Sequence, residues 1–338
     1  MTVKKINKLL VTGGLGFIGS SYVRLLLTEH EINIVNLDLM TYAANPATLK
    51  DFEADPRYTF IKGDIADPEA VLGALSGCDA VVNFAAETHV DRSIQNAAPF
   101  IRSNVEGVRV LLEAARERGI RLLHVSTDEV YGEVQTGFSR EDDAFRPRSP
   151  YSASKAGGDL LVQAYNTTYG VDTVITRGSN NYGTHQFPEK VIPLFVTNAL
   201  DDLPLPVYGS GRAIRDYIFV SDHARGIHAA LLRGKSGEAY NLGGQNQTDG
   251  LTVAHTILGA LGKPESLLSH VKDRPGHDYR YALDISKAQR ELDWSPQVTF
   301  AEGVAEVISW YEANRAWWQG SKAEQAAYFR TQYAQGKG

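Results

Sequence analysis

Short apolar runs alternate with helical periodicities through the first half of the chain. Residues 8–12 (Lys-Leu-Leu-Val-Thr), 32–37, 58–62, 79–84, 121–125 and 172–177 each read as a strand that stops at polar or small residues, those over 8–12 and 121–125 as buried ones. Between them, apolar residues recur at helical spacing. Ile18, Tyr22, Leu25 and Leu26 mark one helix, and Val105, Val108, Leu111, Leu112 and Ala115 mark another over 103–118. Asp67-Pro68-Glu69 reads as a helix start, with Asp as cap and Pro in the first turn. Strand and helix in strict alternation predict a Rossmann-type α/β fold, a doubly wound parallel sheet. Past residue 178 the rhythm loosens. Residues 179–183 read as a loop, Phe187-Pro188-Glu189-Lys190 opens a helix to about Leu200, and residues 205–208 and 215–220 read as strands. This predicts a cofactor-binding domain over 1–178 and a smaller C-terminal substrate-binding lobe over 179–338, the chain interleaving between them.

The strand ends carry the chemistry. The first leads into Gly13-x-x-Gly16-x-x-Gly19, then a helix. Glycines there allow a sharp turn, close approach of a pyrophosphate and tight packing of helix on strand, and the helix N-terminus offers free N–H groups. The next strand ends in Asp38, nineteen residues beyond Gly19, where a carboxylate accepts the ribose hydroxyls of NAD and repels a 2′-phosphate. Gly63-Asp64-Ile65 stands where adenine is touched, and Ala85, Ala86 and Thr88 let the cofactor backbone come close. Thr127-Asp128-Glu129 follows the strand 121–125. Tyr151 and Lys155 lie four apart on a helix and point the same way, so the ammonium is expected to lower the phenol's pKa and make it a base.

Composition narrows the classes. With 338 residues, 43% hydrophobic and 22% charged, the chain builds one large or two modest cores. A net charge of -6 argues against a general nucleic-acid or membrane-surface binder. Cys78 is the one cysteine, so no intramolecular disulfide forms. Residues 1–10 run straight into a strand, leaving no room for a signal peptide, and a cytoplasmic location is expected. His223 and His228 are five apart with no cysteine pair nearby, so no metal is expected. Trp310, Trp317 and Trp318, in the last helix, read as packing or oligomer contacts.

The glycine turn, Ser126-Thr127-Asp128-Glu129-Val130-Tyr131-Gly132 and Tyr151-Ser152-Ala153-Ser154-Lys155 resemble the extended short-chain dehydrogenase/reductases, nearly end to end. Asp91-Arg92-Ser93, Asn180-Asn181-Tyr182-Gly183, Phe187-Pro188-Glu189-Lys190, Arg215-Asp216 and Asp273-Arg274-Pro275-Gly276-His277 are similar to the dTDP-glucose 4,6-dehydratase family within them. The resemblance implies NAD as cofactor and a nucleoside-diphosphate glucose as substrate. Tyr151, with Lys155 and Thr127, takes the 4-hydroxyl proton, Glu129 removes the carbon-5 proton, and Asp128 protonates the departing 6-hydroxyl. It adds Phe17, Ile18, Ser103 and Asn181 to the cofactor contacts. It assigns Asn180, Lys190, Val191, Pro206, Tyr208, Arg215, Arg274, His277 and Tyr333, with Thr127, to the nucleotide sugar, and implies a homodimer through the helices 103–118 and 151–167. An NDP-sugar 4-epimerase is the competing reading, disfavoured by the paired acids; UDP-glucose remains open beside dTDP-glucose. Departures from the family pattern fall at Leu39, where Lys is usual, at Thr184-His185, where Pro-Tyr is usual, and at Gly250, aligned with a nucleotide-contacting Asn.

Overall fold

The computed structural model describes residues 6–273, 277–320 and 322. β1 (Lys8–Thr12), α1 (Phe17–Glu29), β2 (Asn33–Asp38), β3 (Tyr58–Lys62), α2 (Pro68–Ala74) and β4 (Ala80–Asn83) follow in order. After α3 (Val90–Gln95) and α4 (Ala98–Ile101), a π-helical turn (Arg102–Gly107) runs into α5 (Val108–Arg118). β5 (Arg121–Thr127), α6 (Pro150–Tyr169) and β6 (Thr173–Gly178) complete the first half. The second half holds β7 (Asn180–Tyr182), α7 (Val191–Leu200), β8 (Leu205–Tyr208), β9 (Ile214–Phe219), α8 (Val220–Arg233) and β10 (Ala239–Leu242). It ends with β11 (Gln247–Asp249), α9 (Gly250–Leu261), β12 (Leu268–Val271), α10 (Ser286–Leu292) and α11 (Phe300–Ala313).

Seven parallel strands form the central sheet in the order β10-β6-β5-β4-β1-β2-β3. The order reverses between β1 and β4, and open sheets of this kind bind ligands at such a switch point, outside the carboxyl ends of the strands. Alternate residues of β1 go to opposite cores. Leu9 and Val11 pack with α1 and α8, whereas Leu10 packs with α2, α5 and α6. A third core, around Tyr182, Phe195, Ile257 and Val307, holds the smaller lobe together with the sheets β11-β9-β7 and β12-β8. β10 and α8 return from the second half to the main sheet. Helix ends follow the local chemistry: Asp67 caps α2, and a Ser149–Ser152 capping box with Pro150 starts α6.

Four details depart from the sequence reading. Residues 180–182, expected in a loop, form β7 and pair parallel with β9, because backbone groups make that ladder while the asparagine side chains conceal it. The helix expected from 103 starts as a π turn, and in it the fully buried Asn104 accepts from Glu87 N–H and donates to Glu87 C=O and Ser154 Oγ. The helix expected from 187 starts at Val191, with Lys190 extended as its cap. Trp317 and Trp318 lie past α11, in a helical turn over 315–320. Trp318 is wholly buried there and donates to Tyr311 C=O at 2.9 Å.

Candidate active site

The turn after β1 cannot carry side chains where the glycines stand. Gly13 has φ +68°, and a Cβ on it would lie 2.6 Å from Ala85 N; on Gly19 it would lie 2.3 Å from Gly13 O. The result is a cradle of bare backbone at the amino end of α1, the form a pyrophosphate needs. Asp38 closes β2 with its carboxylate held in place. Oδ2 accepts from Leu15 N–H at 2.9 Å and Oδ1 from Met40 N–H at 2.8 Å. Burial raises its pKa and these two bonds oppose the rise. One cleft of about 1600 Å³ gathers Gly13, Gly16, Phe17, Ile18, Gly19, Asp38, Asp64, Ile65, Ala85, Ala86, Thr88, Ser103, Tyr151, Lys155 and Asn181. Asp64 enters it already engaged, its Oδ2 accepting from Arg102 Nε and Nη2 at 3.1 and 2.8 Å. The residues and the cradle fit a dinucleotide.

Thr127, Asp128 and Glu129 sit where β5 runs out into a short 3-10 turn, which Thr127 Oγ1 caps by accepting from Glu129 N–H at 3.3 Å. Asp128 is 3% exposed, and Thr127 donates to its Oδ1 at 3.2 Å. Burial first, then the charges of Glu129 and Asp216, hold its carboxyl well above the usual range, which favours the protonated form. Tyr151, in the first turn of α6, is anchored through its N–H to Ser93 Oγ at 3.1 Å and lies edge-on to Phe100. Here the sequence expectation needs correction. Burial, with Glu129 next, raises the Tyr151 phenol above its ordinary value, while a hydrogen bond with Thr127 opposes the rise and Lys155 is not among the leading influences. Lys155 Nζ instead donates to Val125 C=O at 2.8 Å. Burial lowers its pKa to about 8, with the Asp159 charge opposing.

Behind these residues lies a buried chain the sequence reading missed. Arg177, fully buried, donates through Nε to Asp159 Oδ2 at 2.8 Å and through Nη1 to Tyr131 Oη at 2.7 Å. Asp159 stands one helical turn past Lys155, and that i+4 acid on a buried face was the available signal.

A second cleft of about 1350 Å³ opens between the sheet edge and the smaller lobe, lined by Asn180, Lys190, Val191, Pro206, Tyr208, Arg215, His277 and Gly250. Arg215 is set by its own backbone surroundings, donating to Ile214 C=O at 2.7 Å and Asp278 C=O at 3.0 Å over the ring of Tyr281. His277 Nδ1 pairs with Asp273 Oδ1 at 2.6 Å, and Tyr208 Oη donates to Asp91 Oδ2 at 3.3 Å. Glu129, Asn180, Asn181 and Lys190 line both clefts, so the acid stands at their seam; Thr127, expected to assist the catalytic tyrosine and touch the sugar nucleotide, lines the first only. Arg274 and Tyr333 lie outside the described residues. Among the departures from the family pattern, Leu39 lines the first cleft and Gly250 the second, whereas His185, at φ +63°, packs on Trp310. Asp91, Gln186 and Glu189 also line the second cleft, and the sequence reading had given them no place there.

The family model described as GDP-mannose 4,6 dehydratase matches residues 10–307. The dTDP-glucose 4,6-dehydratase of an Actinoplanes species is 50% identical over 318 residues, covering 92% of this chain and 99% of that protein. The structure of the dTDP-glucose 4,6-dehydratase DesIV of Streptomyces venezuelae, solved with NAD and a second ligand bound, is 48% identical with a TM-score of 0.91, covering 93% of this chain and all of that one. A UDP-glucuronic acid 4-epimerase of Bacillus cereus shares the fold at a TM-score of 0.86 but is only 30% identical, over 90% of this chain and 99% of that one. On sequence and structure together, the chain belongs to the GDP-mannose 4,6 dehydratase family and stands within it among the dTDP-glucose 4,6-dehydratases.

Proposed function

We propose that the protein removes water from dTDP-glucose to give the 4-keto-6-deoxy sugar nucleotide, with NAD as its resident cofactor. One observation carries the reading: the acid pair at the end of β5, with Asp128 buried and Glu129 at the seam of the two clefts, beside Tyr151. Gly13, Gly16 and Gly19 would receive the pyrophosphate and Asp38 the ribose. Bound there, NAD would supply the hydride acceptor for carbon 4 and, once reduced, the hydride donor for carbon 6.

The chain's own residues move the protons. In its ionised form Tyr151 takes the 4-hydroxyl proton, with Thr127 hydrogen-bonded to its oxygen and Lys155, charged below about pH 8, on the same helix face. The ketone at carbon 4 acidifies the hydrogen on carbon 5, and Glu129 removes it. Asp128, whose carboxyl burial raises well above the usual range, gives a proton to the leaving 6-hydroxyl, and water departs. A 4-epimerase needs neither acid. Asn180, Lys190, Arg215 and His277 hold the nucleotide diphosphate from the second cleft, and Val191, Pro206 and Tyr208 pack around the base and sugar.

The same reading places cofactor binding in residues 1–178 and sugar-nucleotide binding in 179–338. It makes the protein a cytoplasmic homodimer; Leu160 on α6 and Ile101 beside the π turn, each more than half exposed, supply apolar surface for that contact. Among the described residues, no helix is long and apolar enough to cross a membrane.

Incubation with dTDP-glucose and, in parallel, UDP-glucose, followed by mass analysis, tests the reading. Loss of one water from dTDP-glucose is expected. An isobaric epimer would establish the 4-epimerase instead, and no change would remove both.

A further inference from the structure

The loop after β2 is rooted at both ends beside the cofactor cleft. Met40 N–H donates to Asp38 Oδ1 at 2.8 Å, and Asn45 N–H donates to Leu15 C=O at 3.0 Å. Between these roots Leu39, Thr41, Ala43 and Ala44 line the cleft, and Tyr42 leans across to elements from elsewhere in the chain. Arg92, on α3, places its Cζ 3.9 Å from the centre of the Tyr42 ring. Phe187, in the segment leading to α7, meets the same ring edge-on at 6.1 Å. The Tyr42 hydroxyl hydrogen-bonds Glu189, two residues further on. Glu189 is 7% exposed, and its Oε2 lies 3.5 Å from Arg92 Nη2 and 3.9 Å from His89 Nε2.

Three parts of the fold therefore meet through one buried carboxylate: the loop on the cofactor side, α3 beyond β4, and the entry to α7 in the substrate lobe. Phe187 and Glu189 also line the cofactor cleft, so the junction stands at its wall. A dinucleotide leaving past this wall would have to part Tyr42 from Glu189 and Arg92. Hydrogen bonds to charged groups and a cation over a ring are among the stronger side-chain contacts, and a partly buried setting strengthens them.

We propose that Tyr42, Arg92 and Glu189 form a latch that holds the loop after β2 against the segment before α7 and retains the dinucleotide in its cleft. The idea rests on the proposed reaction, in which the same cofactor molecule is reduced and reoxidised within each cycle. Retention spares the cycle from losing reduced cofactor while the sugar is only half converted. The three are positioning residues: they touch the walls of the cleft, not the reacting carbons.

The test measures release directly and needs no turnover. Full-length protein loaded with NAD is freed of excess and diluted, and bound NAD is followed over time by acid release and enzymatic cycling. Wild type is compared with Tyr42→Phe, which keeps the ring and loses the hydroxyl, and Tyr42→Leu, which loses both. Loss of one hydrogen bond to a charged group should shorten the half-life of bound NAD about tenfold in Tyr42→Phe, and further in Tyr42→Leu. Thermal unfolding of the NAD-free proteins should stay near wild type, and kcat at saturating added NAD should be preserved, neither of which a merely structural role would spare. Tyr42→Phe leaves the packing intact, so it decides the matter even where Tyr42→Leu destabilises the fold. Wild-type half-lives in both variants overturn the latch. Failure of the wild-type enzyme to remove water from dTDP-glucose would instead overturn the parent reading, while the half-lives would still judge the latch by themselves.

Discussion

Replacing Glu129 with Gln should separate the two halves of the reaction. The amide keeps the size of the side chain at the seam of the clefts but has no oxygen basic enough to take the carbon-5 proton. A positioned base is worth about 10²–10⁴ in rate, or about 2.7–5.4 kcal/mol of barrier, and turnover should fall by that factor. The oxidation should respond differently. After burial, the Glu129 charge is the leading influence raising both the Tyr151 phenol and the Asp128 carboxyl. Removing that charge lowers both pKa values. Tyr151 works as a base, so oxidation in the variant should begin at a lower pH than in wild type. Stopped-flow single turnovers with dTDP-glucose would follow the absorbance of reduced nicotinamide, with quenched samples weighed for loss of water. A rapid rise that stalls, with little water lost and its pH midpoint displaced downward, is expected. Tyr151→Phe should show no rise. Should Glu129→Gln abolish the rise while fold and NAD binding are intact, or release water at the wild-type rate, Glu129 is not the carbon-5 base.

Other outcomes follow from the same geometry. Asp38→Ala should weaken NAD and narrow its advantage over NADP; because Asp38 also holds the Leu15 and Met40 N–H groups, Asp38→Asn should be measured beside it, and an unchanged preference in both would refute the ribose assignment. Arg215→Ala should raise KM for the sugar nucleotide by a factor corresponding to about 2–5 kcal/mol with kcat less affected, and Arg215→Lys should not rescue it, since a lysine reproduces neither the two carbonyl contacts nor the stacking on Tyr281. Burial lowers the pKa of His185 to about 4 from 6.5, so the unfolded chain binds the extra proton and this residue costs stability as pH falls from 6.5 toward 4. His185→Phe should therefore gain in melting temperature relative to wild type between pH 7 and pH 4.5, and a difference that stays constant with pH would show the ring is not held neutral.

The sequence alone determined the layout that depends on local chemistry. Apolar runs of strand length ending in Gly13, Asp38, Ala85 and Thr127 dictate parallel strands, because a strand buried on both faces has no polar alternation and its first polar residues mark its exit from the core. Asp67 and Pro68 likewise declare a helix start through a cap that acts within a few residues. What only the tertiary structure decided is whatever depends on distant segments meeting. β7 is visible only once β9 lies beside it, since three residues rich in asparagine carry no period of their own. The phenol of Tyr151 illustrates the same limit. Helical spacing put Lys155 on its side, but the pKa follows from how completely the fold excludes water and how near it brings Glu129, neither of which is written in spacing. The junction of Tyr42, Arg92 and Glu189 spans residues 42 to 189. Each alone reads as a surface residue, and burial against one another gives the three a common role. Local sequence sets which atoms are available at each strand end; packing sets their solvation and partners, and with these their protonation and chemistry.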